Sequence, residues 1–110
     1  MSLTQQRRAL TATEVVTRLA KLEGWRLDGD GAAVVIQKIF RFADFAQTMV
    51  FVNALAWLAQ ARDHHPELIV QFDTCVVRYC THVVAGLSQA DFDCAAAVDV
   101  LPGVVKASLA

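Results

Sequence analysis

The sequence predicts an α+β domain with the element order α-β-β-α-β-β-α, whose four-stranded antiparallel sheet carries its helices on one face. Three observations lead to this fold class. Two capping patterns open helices near the ends of the chain, a long apolar segment between them has helical length, and two pairs of β-rich segments are each interrupted by a turn signal. Strands paired through hairpins favour an antiparallel sheet.

The first helix follows a leader. Residues 1–10 are predicted to be flexible, with Arg7-Arg8 a solvated basic pair, and residues 11–110 to form a single domain. Thr11 and Glu14 match a capping box, in which a hydroxyl and a carboxylate three residues apart satisfy the first free amides of a helix. Three apolar residues then recur at helical spacing: Val15, Leu19 and Leu22. Gly24 suits the left-handed position after a helix.

The first strand pair follows that glycine. Residues 25–27 are predicted as a short strand and 33–42 as a longer one, separated by the turn signal Asp28-Gly29-Asp30-Gly31. Four residues of the longer strand fall on one side at period two: Ile36, Lys38, Phe40 and Phe42. The charged lysine interrupts this otherwise apolar face.

The long central helix is predicted over 44–63. One apolar face is marked by Phe45, Met49, Val52, Ala56 and Ala59. Further apolar residues extend around the other sides: Val50, Phe51, Leu55, Trp57 and Leu58. A helix that is apolar nearly all round is buried on more than one side. The chain is also 55% hydrophobic, against roughly 45–50% in typical domains. We therefore expect a homodimer or homotetramer, assembled through this helix and the sheet edges.

The second strand pair and a last helix complete the order. Pro66 disfavours helix at the residue before it. Residues 68–72 and 75–84 are predicted as strands joined at Asp73-Thr74. A second capping pattern at 88–91 opens a helix that is expected to end near Leu101.

Charge and cysteine usage exclude several functional classes. A net charge of −1 gives no electrostatic footprint for nucleic acid. The longest charge-free run, residues 45–61, contains several polar residues and predicts a buried helix, so we expect no membrane span. Three cysteines without CxxC spacing argue against a disulfide framework or a zinc site: Cys75, Cys80 and Cys94. Free thiols fit a protein of the reducing cytoplasm.

All three histidines lie between positions 64 and 82. The unperturbed pKa of histidine, about 6.5, suits proton transfer near neutral pH. Taken alone, His64 and His65 are better explained by a structural role, because the negative end of a helix dipole stabilises imidazolium. His82 is predicted near the end of the fourth strand, on the same face as Arg78 and Cys80. A zinc site would lack a recognisable further ligand.

The spacing of these residues is more specific. His64-His65-Pro66 is followed by five residues and Phe72, nine residues and His82, then eight residues and Asp91. This arrangement resembles the signature of the pterin-4a-carbinolamine dehydratases. The likeness also takes in four other stretches: Leu22-Glu23-Gly24-Trp25, residues 40–45, Thr81-His82 and Ala85-Gly86-Leu87-Ser88. It covers about residues 11–101.

The resemblance implies a dehydratase that converts 4a-hydroxytetrahydrobiopterin to quinonoid dihydrobiopterin and water, without metal or bound cofactor, in tetrahydrobiopterin recycling. By resemblance, His64 and His82 are the leading acid–base candidates, and His65 shapes the site and is able to take part. Asp63 and Thr81 stand where family members contact the pterin substrate. The family fold has the predicted element order and forms dimers and tetramers.

The resemblance also concerns four further positions. Asp91 either orients a histidine or only caps its helix, and Trp25 either flanks the pterin or packs in the core. Phe72 is predicted to lie in the core. At Gln60 the family usually has an ionisable residue, often glutamate; one helical turn before His64, this glutamine predicts a working but slower enzyme.

Two alternatives stay open at this point. One is a non-catalytic scaffold, assembly factor or coactivator of the same fold, acting through a helix surface formed by Phe51, Leu55 and Leu58. The other is activity on another pterin, such as a molybdopterin-related compound.

Overall fold

The computed structural model describes residues 7–102 and 104. The predicted order α-β-β-α-β-β-α is confirmed. The elements are α1 (Ala12–Leu19), β1 (Arg26–Asp28), β2 (Val35–Arg41), α2 (Phe45–Arg62), β3 (Glu67–Val70), β4 (Thr74–Tyr79) and α3 (Gln89–Asp99). Two 3-10 turns, Gly31–Ala33 and His82–Val84, precede β2 and follow β4.

The four strands form one antiparallel sheet in the order β1-β2-β4-β3. The central pair sets the register, with Ile36 opposite Tyr79 and Phe40 opposite Cys75. All four of these side chains are at most 1% exposed and lie on the face that the helices cover. On the opposite face the β-branched residues Ile39 and Ile69 are 48% and 44% exposed.

The helix starts follow the sequence signals. Thr11 and Glu14 form the expected capping box, with reciprocal bonds of 3.2 and 3.0 Å. Arg8 donates to the Glu14 carboxylate and holds the pKa of that group down to about 2. At α2, the Asp44 carboxylate accepts from the Gln47 amide at 2.8 Å. These local bonds satisfy amides that have no partner within their own helix.

The buried face of α2 differs from the predicted one. Its buried residues are Thr48, Phe51, Leu55 and Ala59, whereas Phe45 is 49% exposed. Of the predicted stripe only Ala59 is buried. Thirteen of the eighteen residues of α2 are apolar, so the periodicity of the helix does not select a face. Phe51 and Leu55 are 2% and 1% exposed and are unavailable for the outward surface expected of a scaffold.

Both strands of the second pair end earlier than predicted. β3 ends at Val70, so Phe72 lies in the connection to β4 and is 66% exposed instead of buried in the core. β4 ends at Tyr79, and His82 begins a 3-10 turn rather than lying on the strand face of Arg78 and Cys80. The chain leaves the strand because Thr81 bonds back to Gly86 and Ala85 adopts a left-handed conformation.

The predicted leader is only partly within the described residues, which begin at position 7. Arg7 differs from the solvated residue that the sequence suggested, since it contacts His64. Arg8 is exposed as expected and pairs with Glu14 at the surface. The Leu10 amide also donates to the Leu87 carbonyl at 2.9 Å, which joins this segment to the start of α3.

Candidate active site

The end of α2 turns its two histidines in different directions. Asp63 adopts the left-handed conformation, with φ 50° and ψ 42°, and the His64 amide bonds back to the Ala59 carbonyl at 3.2 Å. This is the bonding pattern of a Schellman ending. His64 is thereby directed inward, where it is 6% exposed, while His65 remains exposed. The His64 ring stacks on Tyr79, with ring centroids 5.5 Å apart and planes 15° from parallel.

Asp91 is the centre of a buried hydrogen-bond network. Its Oδ1 lies 2.6 Å from Nε2 of His64, and its Oδ2 accepts from the Thr81 hydroxyl at 2.8 Å and the Ser88 amide at 2.9 Å. Asp91 is 0% exposed. The capping and orienting interpretations of this residue are therefore both realised, one on each carboxylate oxygen.

The network determines which atoms carry protons. The Thr81 hydroxyl gives its hydrogen to Asp91, so the Ser88 hydroxyl, 2.7 Å away, donates to Thr81. With Asp91 as a carboxylate, which only accepts hydrogen bonds, Nε2 of His64 carries the hydrogen of the 2.6 Å contact. Nδ1 of His64 is then the ring nitrogen left to accept a proton.

His82 and His64 line the same open cavity. The cavity measures about 250 Å³ and is lined by Arg7, Asp63, His64, His65, Cys80, Thr81, His82 and Val83. Its volume is below the roughly 300–1,000 Å³ of drug-sized ligand pockets and suits a smaller ligand. All three histidines reach it, so proton donors and acceptors can face one bound molecule from several sides.

A thiol lies beside His82. Sγ of Cys80 is 3.9 Å from Nε2 of His82. Burial is the main cause that raises the pKa of the Cys80 thiol. The thiol is therefore protonated at neutral pH and is able to donate a weak hydrogen bond to the imidazole.

Two residues predicted to contact substrate lie outside this cavity. Trp25 is 4% exposed in the core, and its indole N–H donates to Asp99 at 2.9 Å. Gln60 is exposed on α2 and does not line the cavity. The helical spacing that would align Gln60 with His64 fails because the chain leaves the helix at Asp63.

The sequence interpretation missed three contributors to the site. Tyr79 supports the His64 ring, Ser88 joins the network through both its amide and hydroxyl, and Arg7 donates to Nδ1 of His64. Strand alternation would have found Tyr79, which lies two residues before Thr81. No pattern in the sequence indicates Arg7, because its contact spans 57 residues.

A larger hollow of about 460 Å³ lies between α1 and α3, lined by neither His64 nor His82. Three of its polar groups bond to one another: Nε of Arg18 donates to Gln89 at 2.5 Å, and Gln89 donates to Asp93 at 2.9 Å. We therefore place the candidate site at the histidines.

Neither a metal-ligand cluster nor a membrane-spanning helix is found within residues 7–102 and 104. Within that range, no group of three or more histidine, cysteine or acidic residues is arranged to hold a metal ion. None of the helices there has both the length and the apolar character required to cross a bilayer.

Comparison with known proteins gives concordant results. The family model described as pterin 4 alpha carbinolamine dehydratase matches residues 8–101. A Paracidovorax citrulli protein named "Putative pterin-4-alpha-carbinolamine dehydratase" is 59% identical over 95 residues, covering 86% of this chain and 82% of that protein.

Two solved structures share the fold. A Brucella melitensis protein described as a transcriptional coactivator/pterin dehydratase has a TM-score of 0.80 and 28% identity, covering 87% of this chain and 100% of its own. A pterin dehydratase-like protein, described as a RuBisCO assembly factor in the alpha-carboxysome, has a TM-score of 0.62 and 28% identity over 74% of this chain and 92% of its own.

Proposed function

Because this chain belongs to the pterin 4 alpha carbinolamine dehydratase family, we propose that it dehydrates 4a-hydroxytetrahydrobiopterin in the cytoplasm, as a step of tetrahydrobiopterin recycling. The bond from C4a to its hydroxyl breaks, and the hydroxyl leaves as water after it gains a proton. The N5–H bond gives its proton to a base, and its electron pair forms the C4a=N5 bond of quinonoid dihydrobiopterin. The reaction needs one acid and one base, and neither oxidant nor reductant.

The observation that carries the proposal is the Asp91–His64 pair, whose histidine lines the same cavity as His82. A carboxylate bonded to Nε2 leaves Nδ1 of His64 as the proton-accepting nitrogen. Exposed His82 lines the same cavity and supplies a second titratable group. Positioned acids and bases of this kind contribute about 10²–10⁴-fold each. We propose His64 and His82 as the acid–base pair, with His65 shaping the cavity and able to take part.

The other residues proposed to contact the pterin present different hydrogen-bonding groups to it. Asp63 lines the cavity and has a carboxylate for ring N–H groups. Thr81 also lines the cavity, but its hydroxyl hydrogen is already donated to Asp91, so toward substrate its oxygen is only an acceptor. Gln60 is exposed on α2 outside the cavity, so the family resemblance alone supports the proposal that the missing carboxylate slows the reaction. Gln60→Glu should raise the rate or change its pH profile, and an unchanged rate and profile would remove this position from the mechanism.

The decisive test is the dehydration of freshly generated 4a-carbinolamine by the purified protein. We expect a rate well above the spontaneous one, and a loss of about 10²-fold or more in His64→Ala and His82→Ala. Lys21→Ala serves as the control and should retain the wild-type rate, because Lys21 lines the hollow between α1 and α3 and not the histidine cavity. A wild-type rate no better than the spontaneous one would refute the enzyme assignment. Variants as active as wild type would refute only the residue roles.

A second candidate function is binding without catalysis, as an oligomeric scaffold, assembly factor or coactivator. Relatives in fold are described as a coactivator/pterin dehydratase and as a RuBisCO assembly factor. The outward face of α2 favours such a role, because Val50 and Trp57 are 66% and 77% exposed. Large exposed apolar side chains on one face mark interaction surfaces. We propose that this face also forms the homodimer or homotetramer contact.

Activity on a different pterin, such as a molybdopterin-related compound, is tested by the same assay with alternative substrates. A faster rate on such a compound than on 4a-hydroxytetrahydrobiopterin would replace the proposed substrate while leaving the histidine roles intact.

A further inference from the structure

Arg7 enters the cavity from outside the secondary-structure elements that build it. The bond from the Leu10 amide to the Leu87 carbonyl holds its segment against the start of α3. From there the guanidinium reaches Nδ1 of His64 at 3.3 Å and donates to the Asp63 carbonyl. Among the described residues, Nε of Arg7 is buried without a hydrogen-bond partner. Arg7 is thus a cation placed against the ring nitrogen that faces the cavity.

The two ring nitrogens of His64 therefore meet opposite charges. The Asp91 carboxylate at Nε2, 2.6 Å away, favours imidazolium. The guanidinium at Nδ1 opposes it, because a group that only donates hydrogen bonds cannot accept one from a protonated Nδ1. An arginine side chain is effectively always protonated, so this positive charge is permanent. The arrangement selects one neutral tautomer, with hydrogen on Nε2 and a lone pair on Nδ1.

Other charged or titratable groups also surround His64. Those that line its cavity or stack on its ring are Asp63, His65, Tyr79, Cys80 and His82. Burial raises the pKa of Tyr79, so its phenol is neutral at physiological pH. Only Asp91 and Arg7 bond to the ring nitrogens among the described residues.

We propose that Arg7 is a positioning residue of this active site, which holds His64 as the neutral Nε2–H tautomer and thereby prepares Nδ1 as the base. The proposal rests on the proposed function and adds an assignment to it. When the substrate arrives, its N5–H replaces the guanidinium at Nδ1, and Arg7 keeps the Asp63 carbonyl. The proton passes from N5 to Nδ1, where Asp91 stabilises the imidazolium that forms.

The test compares Arg7→Ala and Arg7→Lys with Arg8→Ala. Arg8 is the matched control, since it is the neighbouring arginine and bonds to Glu14 instead of the site. Two quantities are measured: the ¹⁵N shifts of the His64 ring nitrogens in the free protein, and the pH dependence of kcat/KM. In wild type and Arg8→Ala we expect a protonated Nε2 and a hydrogen-bonded, unprotonated Nδ1 at neutral pH.

In Arg7→Ala the Nδ1 resonance should shift, and the acid-side fall of kcat/KM should begin about one pH unit higher, because one nearby positive charge is lost. Arg7→Lys keeps the positive charge, so its pH dependence of kcat/KM should stay close to that of wild type. Wild-type ring shifts together with a wild-type pH profile in Arg7→Ala would overturn the proposal. The ¹⁵N measurement needs no substrate, so it decides the Arg7–His64 contact even if the protein fails to dehydrate the carbinolamine.

Discussion

His64 and Asp91 are 27 residues apart in sequence, yet their Nε2 and Oδ1 atoms meet at 2.6 Å in the interior. The pair joins the end of α2 to the first turn of α3. Because the same carboxylate also accepts from Thr81 and Ser88, it fixes the imidazole and the helix start together. A change at Asp91 should therefore alter activity and stability at once.

Asp91→Asn tests this double role. The amide leaves one former acceptor position as a donor, so it breaks at least one of the three bonds. We expect unfolding to become easier by about 1–3 kcal/mol and kcat/KM to fall by about 10²-fold or more. Denaturant unfolding and the dehydration assay measure the two effects. Asp93→Asn, on the same helix but bonded to Gln89, is the control. Full activity in Asp91→Asn would show that His64 needs no carboxylate.

Asp63→Gly separates conformation from chemistry. Asp63 has φ 50°, a region where glycine is free of steric cost. The turn should persist, and stability should stay equal or rise by up to about 1 kcal/mol. If the Asp63 carboxylate holds the pterin, KM rises several-fold in this well-folded variant. Thermal unfolding and steady-state kinetics check both parts, and an unchanged KM would remove Asp63 from the substrate contacts.

Much of the fold follows from the sequence because its signals are local. The capping boxes at Thr11 and Ser88 depend on residues three positions apart and lie where predicted. The buried face of α2 and the exposure of Phe72 depend on contacts distant in sequence, which periodicity does not encode. The histidines were found because their spacing is distinctive. Arg7 was not, since the bond that matters joins it to a residue 57 positions away.

The thiols should react in a defined order with an alkylating reagent. Burial raises the pKa of Cys75 and Cys94 to about 11, while Cys80 is only partly buried at the cavity. Cys80 should be modified first, and its rate should increase with pH because a raised pKa keeps the thiolate scarce at neutral pH. Mass spectrometry of timed reactions identifies the site. A pterin analogue should slow the modification, and faster labelling of either buried cysteine would contradict this order.

Trp25→Phe distinguishes packing from substrate contact. The substitution removes the indole bond to Asp99 but leaves the 2.8 Å ion pair between Asp99 and Lys38. Loss of one partly buried hydrogen bond should cost about 1–2 kcal/mol of stability. KM should not change, because Trp25 does not line the cavity. A several-fold rise in KM with little loss of stability would instead support the contact that the family resemblance implied.

Trp57→Glu tests the proposed assembly face. Trp57 is 77% exposed, so the monomer should fold normally with a glutamate at this position. A charge placed in an apolar contact is costly to bury, and we expect the variant to sediment as a smaller species than wild type. Analytical ultracentrifugation at several concentrations gives the mass. Gln60→Glu, on the same helix, supplies a charge-matched control. Identical masses for all three proteins would place any assembly contact elsewhere.

The shared use of Asp91 has a consequence for how relatives of this chain are interpreted. A descendant that gave up catalysis would no longer need His82, which is exposed in its turn. It would still need a carboxylate at position 91, because Ser88 and Thr81 would otherwise lose their buried acceptor. Selection for folding alone therefore preserves Asp91 in active and inactive lineages alike. His82, and not the aspartate, is therefore the residue by which a dehydratase can be told from a binding protein descended from one.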